Sequence, residues 1–473
     1  MQKSEGRNRY LLKNTIIFAI GNFGTKLISF FLVPLYTNAL VTEQYGTADL
    51  IYTIGMVLVP VLTLNLGDSI MRFSLDKNAN HNNIMSVGLV SLLIASIVSG
   101  LIFPVGKIFA QTQEYTAYIF LYTVTYAFSQ MFLCNLRGRE LLLQYSIGNI
   151  IHSLAIAITN IVLLLGLKKG VEGYLSAYII SNIITAIYAF FAGRVYATFS
   201  NFKIDRALCK AMIKYSVVLL PTTFMWWIMN SSDRIMVTAM VGAAANGIYA
   251  VAYKVPTMLS TITSVFNQAW SYSAIREEES IDKNEYSNIV YKRLTSIVIL
   301  VAVGLIMLMK PFLRIYVAKD YYNAWIYTPY LIIGFVFMTL GSFLATSYTV
   351  HKDSKGFLFS GTAGAIINLI LNFFLIPLLG VSGAALATCI SYIVVFLYRA
   401  LDVRKYVTLD ILNKADIVGF CILIISGACM FIDGWKGQLI LGVEFIVVLV
   451  LYRDTWLHIC LGILKRIRRK NRE

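Results

Sequence analysis

Apolar residues along this chain come in blocks of about 20, long enough to cross a ~30 Å hydrocarbon core as helix, with short polar connections between them. By that criterion about fourteen spanning helices are expected. The first seven are 14–38, 45–67, 84–109, 115–136, 141–166, 171–193 and 213–240. The second seven are 246–272, 290–317, 323–349, 356–379, 381–402, 413–432 and 436–453. The first block is interrupted by Gly21, Asn22, Gly24 and Lys26 and follows no cleavable signal pattern, so it is expected to be retained. Pro34, Pro60, Pro104, Pro221, Pro256 and Pro377 fall within or at the edges of blocks, where a lost backbone bond favours a kink.

The pattern also repeats. Gly170-Val171-Glu172-Gly173, Ala177 and Ile180-Ser181 recur as Gly380-Val381-Ser382-Gly383, Ala387 and Ile390-Ser391. At almost the same offset, Lys13 begins a block whose loop carries Gly46, and Lys214 begins one whose loop ends at Gly247. Two matches at similar offsets point to duplication. An even number of helices per copy makes both copies enter from the same side, related by an axis along the membrane normal. The expected fold is therefore an all-α polytopic membrane protein with two pseudo-symmetric six-helix lobes, residues 1–200 and 213–404, joined by a linker over 201–212. Two further helices within 405–453 and a basic tail over 454–473 have no counterpart in the first copy. Two related halves in a bilayer are the usual plan of a secondary transporter, with the substrate site near the midplane between them.

Composition agrees with the patterning: 58% of residues are hydrophobic against 14% charged, and a mean hydropathy of +0.71 excludes an ordinary soluble domain. With the N-terminus inside, the inner connections and both tails hold about 30 of the 40 Lys and Arg residues. Lys107, Lys168, Lys169, Lys310, Arg314, Lys319 and Lys436 fall outside. This asymmetry places both termini in the cytoplasm and accounts for most of the +16 charge, so no nucleic-acid partner is needed. The run Lys465, Arg466, Arg468, Arg469, Lys470 and Arg472 reads as a topology anchor on an anionic leaflet. The six cysteines and four histidines are scattered without disulfide or metal spacing, and neither a P-loop nor a Gly-x-Ser-x-Gly elbow occurs. No cofactor is expected.

Three stretches carry a family resemblance. They are Asp233-Arg234, Gly242 and Gly247-Ile248-Tyr249-Ala250-Val251-Ala252-Tyr253-Lys254-Val255-Pro256; Asn65-Leu66-Gly67 with Arg72-Phe73; and Gly380-Val381-Ser382-Gly383-Ala384-Ala385-Leu386-Ala387-Thr388. Over most of its length the chain resembles the polysaccharide transporters, or O-antigen repeat-unit flippases, of the multidrug/oligosaccharidyl-lipid/polysaccharide (MOP) flippase superfamily. That resemblance implies translocation of undecaprenyl-pyrophosphate-linked oligosaccharide across the cytoplasmic membrane, for O-antigen, capsule or related polymers. It also implies partners from the same biosynthetic route, a polymerase or a priming glycosyltransferase. The glycan is not implied.

The residues offer matching chemistry. An anionic pyrophosphate crossing hydrocarbon needs cationic side chains facing a wet cavity. Lys26 is the leading candidate: it lies about 12 residues, or ~18 Å, from either end of its block, too deep to snorkel comfortably. Its alternative is a structural pair with a carboxylate. Arg234 and Lys254 are candidates for a second anion site, with Asp233 orienting one of them; alternatively Asp233 and Lys254 meet across a helical hairpin as a structural pair while Arg234 snorkels outward. Asp49 is a candidate H+ or Na+ coupling site, or an interfacial carboxylate. Arg72, Arg137 and Arg139, at inner ends of spans, are placed to gather the pyrophosphate, though positive-inside anchoring predicts the same residues. Trp226, Trp227, Trp270 and Trp325, with many tyrosines, suit sugar stacking, but interface belts and helix packing explain most of them. Duplication allows a monomer to form the whole pathway. Two other classes stay open: a cation-coupled drug or metabolite antiporter, and a membrane polymerase or glycosyltransferase. The latter is disfavoured because every outer connection is short.

Overall fold

The structure is a computed structural model that describes residues 24–76, 78–104, 113–411 and 413–457. The start of the first expected span, Lys107 and the basic run after residue 457 lie outside the described residues. A helix occupies the described part of every expected block, and among the described residues no strand occurs. Among the described residues, ten helices are long and apolar enough to cross a membrane. The chain is a multi-pass membrane protein.

Two compact units divide the chain, Met1–Ala250 and Val251–Glu473. The first contains α1 (24–39), α2 (Thr42–Leu62), α3 (Leu66–Ser74), α4 (His81–Ile102), α5 (Thr116–Gly138), α6 (Leu142–Asn160), α7 (Gly170–Ala192), the short α8 (Ala197–Ser200), α9 (Arg206–Met240) and the start of α10 (Ala243–Arg276). The expected block 45–67 is broken: Leu64 and Asn65 take positive φ (50° and 54°), so α3 leaves at an angle to α2. Asn tolerates this conformation because its short side chain bonds locally, here from Nδ2 to Asp68 Oδ2 at 2.9 Å. α9 begins at Asp205, whose carboxylate accepts from the amides of Ala207 and Leu208 and satisfies two orphan donors. Core residues Val59, Leu66, Ile70, Met85, Met131 and Leu136 bind α2–α5 together.

The sequence repeat has a physical basis. Gly170 and Gly380 both take left-handed φ (+54° and +59°), opening α7 and α14 after a tight turn. Three residues on, Gly383 lets α14 approach the preceding helix so closely that a Cβ would sit 2.1 Å from the Leu375 carbonyl oxygen. The other repeated glycines face each other. A Cβ on Gly46 would lie 1.8 Å from the Ala243 carbonyl oxygen, and one on Gly247 would lie 2.0 Å from that of Thr42. Asn246 Nδ2 donates to the Gly46 carbonyl at 2.9 Å, closing the first turns of α2 and α10 against each other.

The second unit holds the rest of α10, then α11 (Lys283–Tyr316), α12 (Thr328–Val350), α13 (Ser354–Leu379), α14 (Val381–Asp402), α15 (Lys414–Cys429) and α16 (Trp435–Leu451). α12 is the most enclosed of the apolar helices, 78% buried in its apolar window, and packs on α11, α14 and α15. Arg399 of α14 is buried at 9% exposure. Its Nε donates to Ser360 Oγ at 3.0 Å and its Nη1 to the Gly341 carbonyl at 2.9 Å, tying α12, α13 and α14 together.

Candidate functional site

Burying a charge in a membrane helix is costly unless a partner compensates it, so buried ionisable groups mark either structural locks or working sites. Asp49, on α2, is 2% exposed. It receives Nη1 of Arg234, on α9, with both oxygens, at 2.9 and 3.2 Å. The next residue turns elsewhere: Asp233, 1% exposed, accepts the Tyr249 hydroxyl at 2.5 Å on Oδ2, and its Oδ1 accepts the Arg234 amide at 2.9 Å. α9 thus binds α2 through Arg234 and α10 through Asp233. The Asp233-Arg234 and Gly247-Ile248-Tyr249 stretches meet at one place in the first unit.

A cluster of tyrosines, most of them buried, lies beside that pair. Tyr36 of α1, Tyr45 and Tyr52 of α2, Tyr122 of α5, and Tyr174 and Tyr178 of α7 touch ring to ring. Centroid separations are 4.9 Å for Tyr36–Tyr174, 5.2 Å for Tyr52–Tyr178, 5.9 Å for Tyr52–Tyr122 and 4.9 Å for Tyr174–Tyr178. Tyr52 lies within electrostatic reach of both Asp49 and Arg234. The Tyr122 hydroxyl is buried and has no hydrogen-bond partner among the described residues. Sequence reasoning noted the tyrosines only collectively; the usable signal was spacing, since 45 and 52 lie two turns apart and 174 and 178 one turn apart on a single helix face.

The remaining candidates are distributed. Lys26 stands exposed on α1 and has no ion-pair partner among the described residues, so the reading of it as half of a structural pair finds no carboxylate there. Lys254 is half-buried on α10, in the second unit. Arg72 pairs with Asp76 at 2.7 Å on the exposed end of α3. Arg137 lies over the Tyr145 ring at 5.4 Å. Arg139 Nη1 donates to the carbonyl of Gly193, which satisfies an orphan acceptor at the end of α7. The ends of α3 and α5 meet, because Gly138 backs directly onto Ser74 and Met71; the three arginines therefore belong to one end of the first unit. Arg234 is held by Asp49, and the Asp49 side chain is enclosed by protein at 2% exposure. Among the tryptophans, Trp270 stacks on Phe343 at 4.7 Å and Trp325 receives Lys310 over its ring at 4.1 Å, while Trp226 is 61% exposed.

Among solved structures, this fold is shared with "Lipid II flippase MurJ, inward closed conformation", at a TM-score of 0.56 and 18% identity over 93% of this chain and 99% of that one. An inward-facing multidrug resistance MATE family transporter of the MOP superfamily matches at 0.60 and 14% over 87% of this chain and 95% of that one. A MOP superfamily transporter from Pyrococcus furiosus Vc1 matches at 0.57 and 14% over 89% and 97%. At these identities the likeness concerns the fold, and that fold is the MOP-flippase fold. The sequence profile of the polysaccharide biosynthesis protein family matches residues 11–272, more than half of the chain, and the chain belongs to that family. A comparison with curated protein sequences found no match.

Proposed function

We propose that the protein is a flippase, not an enzyme, that moves undecaprenyl-pyrophosphate-linked oligosaccharide units from the inner to the outer leaflet of the cytoplasmic membrane, for O-antigen or capsule-type polymers. The observation that carries this reading is the Asp49–Arg234 pair beside a cluster of tyrosines. Arg234 is a planar bidentate donor, and a pyrophosphate oxygen can replace the Asp49 carboxylate on it without leaving a buried cation alone. Asp49, released, then takes up H+ or Na+, which couples cargo to an ion gradient. Lys26 and Lys254 add positive charge along the path, Arg72, Arg137 and Arg139 gather the head group at the cytoplasmic rim, and Asp233 fixes Tyr249 beside the exchanging pair. Tyr52 and Tyr178, the half-buried members of the cluster, offer stacking to sugar rings.

Both termini face the cytoplasm, and lobes 1–200 and 213–404 alternate access by rocking, with the prenyl tail remaining in lipid. The protein works as a monomer alongside a polymerase or glycosyltransferase and needs no cofactor. The two buried carboxylates keep one second reading open, a cation-coupled small-molecule antiporter of the same superfamily. The decisive experiment is translocation of a labelled undecaprenyl-pyrophosphate oligosaccharide in proteoliposomes under imposed pH and sodium gradients. Native protein is expected to flip it, and Lys26→Ala to slow flipping at least tenfold at equal protein levels. Full flipping by Lys26→Ala removes Lys26 from the path, and no flipping of several such glycans by folded native protein turns the assignment to the antiporter.

A further inference from the structure

The second unit contains a groove that the transport reading does not use. It lies between α10 and α11 and has a volume of about 610 Å³, within the ~300–1,000 Å³ typical of small-molecule sites. Its walls are apolar: Leu259, Phe266 and Trp270 on α10, and Leu294, Ile297 and Val301 on α11. One end is polar. There Ser273 Oγ and the Tyr286 hydroxyl are 3.0 Å apart, and Arg293, two turns further along α11, also lines the groove. The neighbouring Lys292 is paired with Asp410 at 3.3 Å, whereas Arg293 is exposed and has no ion-pair partner among the described residues.

The dimensions choose the occupant. Side chains on a helix lean toward its N-terminus, so Arg293 reaches toward the Tyr286 end of the groove. Beyond it the apolar walls run about 11 Å along α11, from Leu294 to Val301, and about 17 Å along α10, from Trp270 to Leu259, at 1.5 Å per residue. Half of a bilayer's hydrocarbon core is ~15 Å. A cation at one end of a slot one leaflet deep complements an amphiphile with an anionic phosphate and a single-leaflet chain. A zwitterionic lipid carries its own cation beside the phosphate and gains less from Arg293.

We infer that this groove seats one acyl chain of an anionic membrane phospholipid, with its phosphate on Arg293 and its polar head beside the Ser273 and Tyr286 hydroxyls. The assignment is independent of the cargo and holds whichever transport reading is right. The test is native mass spectrometry of the full-length protein released from micelles holding equal amounts of phosphatidylglycerol, phosphatidylcholine of the same chains, and undecaprenyl phosphate. Native protein is expected to retain phosphatidylglycerol about tenfold over phosphatidylcholine, the worth of one charge-assisted contact. Arg293→Gln should abolish the preference and Arg293→Lys should restore it. Ala269→Phe and Val301→Trp, which fill the groove from its two walls, should lower total bound lipid, with circular dichroism melts confirming that each folds. Equal retention of the two phospholipids by native protein overturns the proposal, as does bound lipid unchanged in both filled variants. Preferential retention of undecaprenyl phosphate overturns the acyl-chain assignment and gives the groove to the cargo's tail.

Discussion

Removing one member of the Asp49–Arg234 pair should cost far more than removing both. The side chains are only 3% and 12% exposed, so solvent and salt screen them little. Asp49→Leu leaves a guanidinium with its charge uncompensated in the protein interior, and Arg234→Met strands a carboxylate. Breaking a buried pair from one side typically costs about 3–5 kcal/mol, whereas apolar residues of similar volume at both positions are often nearly neutral. Equilibrium unfolding in mixed micelles should therefore show Asp49→Leu and Arg234→Met each about 3 kcal/mol less stable, and the Asp49→Leu/Arg234→Met double variant only about 1 kcal/mol less stable, a coupling of about 5 kcal/mol that comes from the charge each single variant strands. Single losses that simply add in the double variant would refute the argument that the two charges answer each other. Function separates from stability in the same protein: the folded double variant should flip lipid-linked glycan far more slowly, since the guanidinium proposed to receive the pyrophosphate is gone. Native-rate flipping by it would leave the pair as structure alone.

Other substitutions probe other parts of the fold. Gly247→Ala should destabilise by about 3 kcal/mol or more, the upper end for overpacking, because its Cβ meets the Thr42 backbone 2.0 Å away; a thermal midpoint matching native would show that α2 and α10 can separate freely. Arg399→Met removes two bonds from a charged donor but also the cost of burying that charge, so a net loss of about 1–3 kcal/mol is expected in the same assay, and a stabilised variant would mean desolvation outweighs the bonds. The Asp353 carboxylate, which caps α13, is held down to about 2 from 3.8 by the Gly356 amide, then the Tyr406 hydroxyl and Lys405. A depressed carboxylate stabilises above its unfolded value and loses that contribution as pH falls through the folded one, so the gap in melting temperature between native protein and Asp353→Asn should be full above about pH 4 and close towards about pH 2. A gap constant across that range would show that the cap does not depend on charge.

Much of this architecture can be read from the chain, because a helix in lipid must satisfy its own backbone and announces itself as an apolar block. The repeat was legible for a similar reason: glycines at 46, 170, 247, 380 and 383 stand where backbone geometry or close approach admits no side chain, so they stand out without any knowledge of their partners. Partnership itself was not legible. Asp49 and Arg234 are 185 residues apart, and hydropathy says nothing about which carboxylate meets which guanidinium. The break at Leu64 and Asn65 was hidden inside a continuous apolar block, and Arg399, counted among many inner arginines, gave no sign that it would fold inward onto Ser360 and Gly341. The tyrosine cluster required four helices to be placed before it became one object.

The closure of α2 against α9 and α10 also sets a schedule. Gly46 receives its bond from Asn246, 200 residues later, and Asp49 receives its counter-charge after 185. At roughly 5–20 residues per second of synthesis, α2 waits on the order of 10–40 s for them. During that interval its carboxylate has no guanidinium to answer it, and its first-turn glycine presents bare backbone to whatever lies beside the ribosome's exit. The first unit is finished only when the chain has passed its midpoint, so a ribosome stalled before residue 234 would leave α2 packed on α4, α5 and α7 but with Asp49 and its first turn still waiting for α9 and α10.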